Sequence, residues 1–339
     1  MALPKRHNDI SLALQGGGAH GAFTWGVLDR LLQQPGLRIK AISGTSAGSM
    51  NALAVAQGLM SGGPEHARQL LTDFWETVAA SAPFRLTSFA SNGDVSMSPA
   101  VGFMMSLTQH FSPYQLNPLD INPLRQLVEK YFDFEQLRQS CPVELFIAAT
   151  HANTGRLRLF RNHELSVEAV LASACLPTVH HTVEVDGEPY WDGGFSANPA
   201  IFPLYHHHQC ADVLMILLAP MVHGKTPTTA AEIKTRAMDI AFNAGFLREM
   251  RVLAQERQMS RSFWRPYSKL EKRIQRLRFH MIDPDGALDN LPSATRMIPD
   301  QKLLHLLRDT GRQQAELWLQ QHGSSVGRRC SINLAEVFI

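Results

Sequence analysis

One serine in this sequence has the surroundings of a nucleophile. It is the central residue of Gly44-Thr45-Ser46-Ala47-Gly48, a G-x-S-x-G pattern. A serine hydroxyl can attack a carbonyl carbon when a neighbouring base removes its proton, and a sharp turn from strand to helix exposes the hydroxyl for that attack. The same five residues would also suit a loop that only caps a helix. The chemistry therefore depends on what the rest of the chain brings to this turn.

A glycine run upstream could stabilise the negative charge that such an attack creates. Gly16, Gly17 and Gly18 follow a short apolar stretch and precede a predicted helix. Consecutive glycines can turn their N–H groups toward one point, which is what a developing oxyanion requires. A nucleotide phosphate loop is a competing interpretation, but the Gly-Lys-Ser/Thr ending of a P-loop is missing. A simple glycine turn also remains open.

Asp192, followed by Gly193 and Gly194, is a candidate base. An aspartate can take the serine proton directly if burial raises its pKa above the value of about 3.9 found for a free side chain. Asp-Gly-Gly alone would also suit a turn. The fifteen histidines keep a Ser/His/Asp triad open, with His180-His181 and His206-His207-His208 as the nearest candidates. We do not predict a metal site at the triplet, since adjacent helical side chains diverge.

The segments around these motifs alternate between strand and helix. Ile10–Leu14 and Leu37–Ile42 have the apolar content of strands, and Gly21–Gln33 and Ala47–Met60 that of helices. Such alternation predicts an α/β fold with a mainly parallel central sheet flanked by helices. It also places Ser46 on the turn between a strand and a helix.

Further elements are predicted downstream of the nucleophile turn. Asp186-Gly187 lies between two alternating runs and indicates a hairpin. The predicted strands and helix are strands Pro142–Thr150, Arg156–Phe160, Val179–Val185 and Ala211–Ala219, and helix Leu165–Ala174.

The three motifs in this order resemble the patatin-like phospholipases, a group of serine lipid acyl hydrolases. GGGxxG comes first, then G-x-S-x-G, then Asp-Gly-Gly well downstream. The stretches ASACLP at 172–177, VDG at 185–187 and YWDGG at 190–194, with Asn198-Pro199, resemble the family's sequence around its aspartate. The resemblance covers about residues 10–219 and implies a three-layer patatin-like fold.

The resemblance also implies roles for individual residues. Ser46 would be the nucleophile and Asp192 its base, in a dyad without histidine. The residues implied around this dyad are Gly16, Gly17 and Gly18 as the oxyanion hole, and Gly193, Gly194 and His20 as support.

His20 departs from the family pattern, because many members have Arg or Lys at that position. The charge of a histidine depends on pH, so we expect any electrostatic contribution from this position to depend on pH too.

Composition indicates a globular protein. Of the 339 residues, 45% are hydrophobic and 18% are charged, and the formal net charge is +2. Four scattered cysteines suit a reducing compartment, and the N-terminus resembles neither a secretory signal nor a membrane span. We therefore expect a cytoplasmic protein, with any membrane contact peripheral.

Two regions stand apart from the α/β pattern. Residues 80–122 are rich in Pro, Ser, Phe and Met, and could form an apolar lid over the site or pack as core. Residues 248–278 contain ten Lys or Arg against three Asp or Glu. That charge suits a solvated helical face, or contact with an anionic lipid surface; nucleic acid is disfavoured because no binding motif accompanies it.

These observations predict a catalytic domain at 1–225 and a mostly helical, basic region at 226–339 that packs on it or extends it. The expected function is hydrolysis of carboxylic ester bonds in phospholipids or related acyl lipids, and this chemistry requires no metal or organic cofactor. Alternatives are a soluble carboxylesterase or thioesterase acting on dispersed acyl groups, and a lipid-binding protein without catalytic activity.

Overall fold

The computed structural model describes most of the chain. The residues described are 8–81, 87–89, 95–97, 107–108, 110–206, 210–222, 224, 226–259, 268–288, 291 and 293–339.

An eight-stranded sheet lies at the centre of the described structure, beside a separate two-stranded sheet. The strands are β1 Asn8–Leu14, β2 Leu37–Thr45, β3 Thr87–Phe89, β4 Val95–Met97, β5 Glu144–His151, β6 Leu157–Arg161, β7 Val183–Val185, β8 Glu188–Asp192, β9 Asp212–Ile216 and β10 Arg278–Ile282. The order across the large sheet is β10-β9-β1-β2-β5-β8-β7, and β6 pairs with β5. The strands from β10 to β5 run parallel, while β6 and β8 are antiparallel to β5. The predicted fold class is confirmed.

Helices cover both faces of this sheet. They are α1 Gly21–Leu32, α2 Ala47–Gly62, α3 Pro64–Ala80, α4 Pro113–Leu116, α5 Pro123–Tyr131, α6 Phe134–Ser140, α7 Val167–Ser173, α8 Phe202–His206, α9 Ala230–Met259, α10 Lys269–Arg276, α11 Gln301–His322 and α12 Leu334–Phe338. Short 3₁₀ turns occupy 18–20, 162–164, 193–195, 293–297 and 323–325.

The three-layer arrangement follows from the alternation of side chains along the strands. In β1, Leu12 and Leu14 belong to the core shared with α1, α2, α3 and α11, while Ala13 belongs to the core shared with α9 and α12. In β9, Leu214 and Met215 divide in the same way. Successive strand residues point to opposite faces, so a strand buried on both faces needs a continuous apolar sequence.

The predicted order of the first elements is observed, with strands and helices that differ from their predicted bounds by a few residues. The predicted hairpin is also present between β7 and β8, where Asp186 and Gly187 both have positive φ, as a two-residue turn of this kind requires. Strand β10 was not predicted. It extends the large sheet from within the C-terminal region, which is otherwise mostly helical.

Nearly half of the predicted lid at 80–122 lies outside the described residues, including all of 98–106. Within it, β3 and β4 pair as antiparallel strands, and α4 lies close to the segment before β7, where the Tyr114 ring stacks on the His181 ring. Its role as a lid stays a prediction.

Candidate active site

Ser46 lies on a strained turn between β2 and α2. Its φ of 53° and ψ of −122° form a conformation that residues with a side chain rarely adopt. Backbone hydrogen bonds hold it there: the Ser46 N–H donates to Ser173 Oγ at 3.0 Å, and the Ser46 carbonyl accepts from the Ser49 N–H at 2.8 Å, the Ser49 hydroxyl at 2.5 Å and the Met50 N–H at 3.4 Å. Ser173 ends α7, so two separate elements fix the turn.

The flanking residues of this turn are close-packed. A Cβ added to Gly48 would lie 2.3 Å from the Leu14 carbonyl oxygen, so only glycine lets α2 approach β1 this closely. A Cβ on Gly44 would likewise lie 2.7 Å from the Gly48 carbonyl oxygen. Thr45 Oγ1 donates to the Ala197 carbonyl at 2.8 Å, and Ala47 is buried. The small residues of the motif are therefore required by packing.

Strand pairing brings Asp192 to the same point in the sheet. The last residue of β2, Thr45, pairs with Ala148 of β5, and the last residue of β8, Asp192, pairs with the adjacent Ala149. Both alanines also pair with β6 on their other side. Strands β2 and β8 therefore share one edge of β5, and their C-terminal ends meet there.

The Asp192 carboxylate is wholly buried, with an exposed fraction of 0%. Its Oδ1 accepts a hydrogen bond from the Gly194 N–H at 2.7 Å, while Oδ2 has no hydrogen-bond partner among the described residues. Burial raises the pKa of Asp192 to about 7, against the opposite effects of the Gly194 N–H and the nearby Ser46 side chain. The carboxylate therefore has one oxygen without a hydrogen-bond partner and a pKa near neutral pH.

The glycine loop lies directly against the turn that holds Ser46. A Cβ added to Gly16 would lie 2.8 Å from Ser46 Cβ and 2.6 Å from the Thr45 carbonyl oxygen, so no larger residue fits. The Gly16 N–H donates to Asn198 Oδ1 at 2.6 Å. The backbone hydrogen bonds of the described residues include none from the N–H groups of Gly17 or Gly18. Those two N–H groups are therefore left without a backbone acceptor in the described structure.

Two buried amides that the sequence did not single out hold this loop. Asn198 clamps Gly16 from both sides, since its Nδ2 also donates to the Gly16 carbonyl at 3.3 Å. Gln15 Oε1 accepts from the N–H groups of Leu218 and Ala219, at 2.5 and 2.9 Å, and Gln15 Nε2 donates to Asn243 Oδ1 at 2.7 Å. The chain around Asn198 had been noted only for its resemblance to the family, and the partners of both amides are distant in sequence.

Gly193 and Gly194, which follow Asp192, form a backbone turn beside its carboxylate. Gly193 and Gly194 open the 3₁₀ turn 193–195, in which the Gly194 N–H bonds the aspartate. A Cβ on Gly194 would lie 2.3 Å from the Phe242 ring of α9. Helix α9 thus seals the site from one side.

His20 is buried beside the loop and carries no charge at neutral pH. Its Nε2 lies 2.8 Å from Thr295 Oγ1. Burial, with a smaller effect from the positive charge of Arg296, lowers the pKa of His20 to about 3. The pH dependence expected at this position therefore falls far below neutrality.

The histidines considered for a triad make no hydrogen bond to Asp192 where the structure describes them. His181 Nε2 lies 3.2 Å from the Pro113 carbonyl oxygen, and His206 is exposed at the end of α8; His207 and His208 are outside the described residues. In the part of the chain that the structure describes, no histidine is hydrogen-bonded to Asp192, and no group of three or more His, Cys, Asp or Glu side chains could hold a metal ion.

Part of this chain, including the candidate site, matches a known protein family. A family model described as Patatin-like phospholipase matches residues 12–205, more than half of the chain, and this span includes Ser46 and Asp192. A search of curated proteins found no match.

Two solved structures are similar to this chain over most of its length. VipD from Legionella pneumophila matches at 14% identity and a TM-score of 0.45, covering 95% of this chain and 68% of that chain. The heterodimeric complex ExoU-SpcU from the type III secretion system of Pseudomonas aeruginosa matches at 14% identity and a TM-score of 0.28, covering 94% and 77%.

Proposed function

The chain belongs to the patatin-like phospholipase family, and on this premise we propose that it hydrolyses carboxylic ester bonds of acyl lipids through a Ser46/Asp192 dyad. Family membership supports lipid hydrolysis in general. The dyad, the oxyanion hole and the ester bond as target are our proposal, and they depend on the geometry described above.

The reaction proceeds in two steps. Asp192 takes the proton of Ser46 while Oγ attacks the ester carbonyl carbon, and the carbonyl electron pair moves onto its oxygen. When the carbonyl reforms, the alcohol leaves with the proton held by Asp192, and the acyl group stays on Ser46. Water then attacks the acyl carbonyl carbon and gives a proton to Asp192. The bond between the acyl group and Ser46 Oγ breaks, Asp192 returns that proton to Oγ, and the fatty acid is released.

Gly17 and Gly18 would donate to the oxyanion. Their N–H groups are available, and they lie at the start of a helix, whose N-terminus favours negative charge. Gly16 contributes differently: its N–H is bonded to Asn198, and its missing side chain leaves room beside Ser46.

The observation that carries the proposal is the free Oδ2 of Asp192. Buried polar atoms nearly always have hydrogen-bond partners, so an unpartnered carboxylate oxygen next to a serine calls for an explanation. A buried carboxylate with one unpartnered oxygen, near a serine on a strained turn, is instead suited to accept a proton.

The test is a panel of phospholipids and neutral acyl esters, assayed with the wild type and single variants. We expect Ser46→Ala and Asp192→Asn each to lower kcat/KM by at least about 10³-fold, since members of a catalytic unit act together. Ser81→Ala, which removes an exposed hydroxyl at the end of α3, is the control and should retain full activity. A fluorophosphonate probe should label Ser46 in the folded wild type. Full activity of Ser46→Ala would refute the assignment.

We also propose that the substrate is presented at a lipid surface. In the described structure no helix is long and apolar enough to cross a membrane. A surface-acting hydrolase should accelerate when its substrate passes the aggregation threshold, whereas a carboxylesterase or thioesterase for dispersed substrates should not. Vesicle binding without turnover on any member of the panel would indicate a lipid-binding protein instead.

A further inference from the structure

The outward face of helix α9 carries an exposed apolar stripe. Ile233, Ile240 and Leu247 are seven residues apart, so they fall on one side of the helix, and 51%, 59% and 39% of their surfaces are exposed. Ala237 and Ala244 lie between them and are exposed too. The stripe therefore runs for about four turns along a helix of 30 residues.

Over residues 233–252 of α9 the acidic side chains face the protein, whereas exposed basic side chains lie on the outward face. Between 233 and 252 the acidic residues are Asp239 and Glu249, and both face the protein: Asp239 pairs with Arg296, and Glu249 accepts from the Ile201 N–H at 3.1 Å. The basic residues over the same span are Lys234, Arg236, Arg248 and Arg251. Lys234, Arg248 and Arg251 are exposed. Lys234 and Arg248 each follow a stripe residue by one position, so they lie on the same side of the stripe, and Arg251 lies one turn beyond Leu247.

The inward face of the same helix forms part of the candidate active site. The Phe242 ring lies 4.6 Å from the Phe195 ring, centroid to centroid, and packs over Gly194 beside Asp192. Asn243 accepts the hydrogen bond from Gln15 that steadies the glycine loop. A surface bound to the outward face would therefore be one helix diameter from the dyad.

We propose that the outward face of α9 from Ile233 to Val252 docks the protein onto an anionic lipid surface. An apolar stripe with basic side chains along one side is the composition of helices that lie in a membrane interface, where apolar residues enter the acyl boundary and Lys and Arg contact anionic head groups. The absence of an outward acidic residue between 233 and 252 makes the face complementary to negative charge. The choice of lipid as its partner rests on the proposed function.

The experiment measures binding of the full chain to vesicles of phosphatidylcholine mixed with phosphatidylserine, and to vesicles of phosphatidylcholine alone. We expect the wild type to favour the mixed vesicles and to bind them less tightly as salt is raised. The double variant Lys234→Glu/Arg248→Glu should weaken binding to mixed vesicles by at least about thirtyfold. Ile240→Asn should weaken it by about tenfold.

Matched controls change the same chemistry elsewhere. Lys130→Glu/Lys302→Glu reverses two exposed charges on α5 and α11, and Leu306→Asn replaces an apolar residue that is 47% exposed on α11. Both should bind like the wild type. Equal weakening by the controls, or binding that ignores phosphatidylserine, would overturn the proposal. So would a wild type that does not bind the mixed vesicles, which would leave an acidic protein as the partner of this face.

Hydrolysis assays distinguish a failure of α9 docking from a failure of the proposed ester hydrolysis. The α9 variants should cleave a dispersed short-chain ester at the wild-type rate, and Ser46→Ala should bind vesicles like the wild type. A wild type that binds vesicles through α9 but cleaves no ester would refute the proposed function alone. A Lys234→Glu/Arg248→Glu variant that loses the dispersed-ester activity would show that the face serves the catalytic site, and would overturn the docking role.

Discussion

Asp192 combines complete burial with an unsatisfied oxygen, and both features work against stability. A buried ionised carboxylate lacks the solvation that water would give it, which is why its pKa rises to about 7. Ser46 adds backbone strain at φ 53°, for which a cost of about 1–3 kcal/mol is typical. The two residues that would do the chemistry are thus stabilised by their neighbours rather than by their own conformations and contacts.

The pH dependence of the free energy of unfolding should reveal the raised pKa of Asp192. Between the ordinary pKa of 3.8 and the folded-state value of about 7, the folded protein binds more protons at Asp192 than the unfolded chain does. Stability from this group therefore falls as pH rises through that window and is constant above it. We expect Asp192→Asn, which cannot ionise, to be increasingly more stable than the wild type from about pH 4 to pH 7.

Thermal unfolding of both proteins across that range provides the measurement. Glu249, whose pKa burial also raises to about 7, is unchanged in both proteins, so its contribution cancels in the difference. A stability difference that does not change with pH would mean that Asp192 titrates as an ordinary surface carboxylate.

The site exists because strands from distant parts of the chain meet on one edge of β5. The C-terminal ends of β2 and β8 meet opposite Ala148 and Ala149, and the glycine loop after β1 closes the third side. Asn198 joins these elements, because it follows β8 in the chain and binds both the N–H and the carbonyl of Gly16. It is a positioning residue for the loop.

Replacing Asn198 should therefore lower turnover by more than the accompanying loss of folded protein would explain. We expect Asn198→Leu to lower kcat on a dispersed ester by about 10²-fold, the effect of misplacing catalytic groups by about 1 Å, with little change in KM. Asn198→Asp keeps an acceptor for the Gly16 N–H and should recover part of this loss. The rate of fluorophosphonate labelling at Ser46 should fall in parallel.

Asn162 offers a control with the same chemistry at another place. Its side chain bonds the Leu145 N–H at 2.8 Å and the Val143 carbonyl at 2.9 Å, at the start of β5. Asn162→Leu should lower stability but leave kcat unchanged in the folded fraction. If both variants lost activity only in proportion to lost stability, Asn198 would have no positioning role.

Elements that depend on neighbouring residues could be predicted from the sequence, whereas contacts between distant residues could not. Apolar runs and turn residues predicted the order of the first strands and helices, because periodicity and glycine positions are local signals. Strand β10 was missed since its five residues include Arg278 and His280, which are polar in the sequence but pair with Asp212 in the structure. Gln15, Asn198 and Ser173 were missed because no spacing within one sequence reveals partners more than a hundred residues away.

The C-terminal region shares its hydrophobic core with the part of the chain that precedes it. Helix α11 crosses α1 at glycine contacts on both sides: a Cβ on Gly26 would lie 1.9 Å from the Arg308 carbonyl oxygen, and one on Gly311 would lie 2.1 Å from the Phe23 carbonyl oxygen. Strand β10 also pairs with β9 along its full length. Such contacts are those of a single core rather than of a domain attached by a linker.

This shared core predicts that residues 1–225 will not fold alone, although the sequence suggested a domain boundary after residue 225. Removing α11 would expose Trp25 and Val27, which are buried in the full chain, at about 1.5–3 kcal/mol for each such side chain. The edge of β9 would also be left open to aggregation. Since net stability is only about 5–15 kcal/mol, we expect no cooperative unfolding transition by circular dichroism for 1–225, against a sharp one for the full chain. A sharp transition and fluorophosphonate labelling of Ser46 in the shortened chain would instead establish 226–339 as a separable extension.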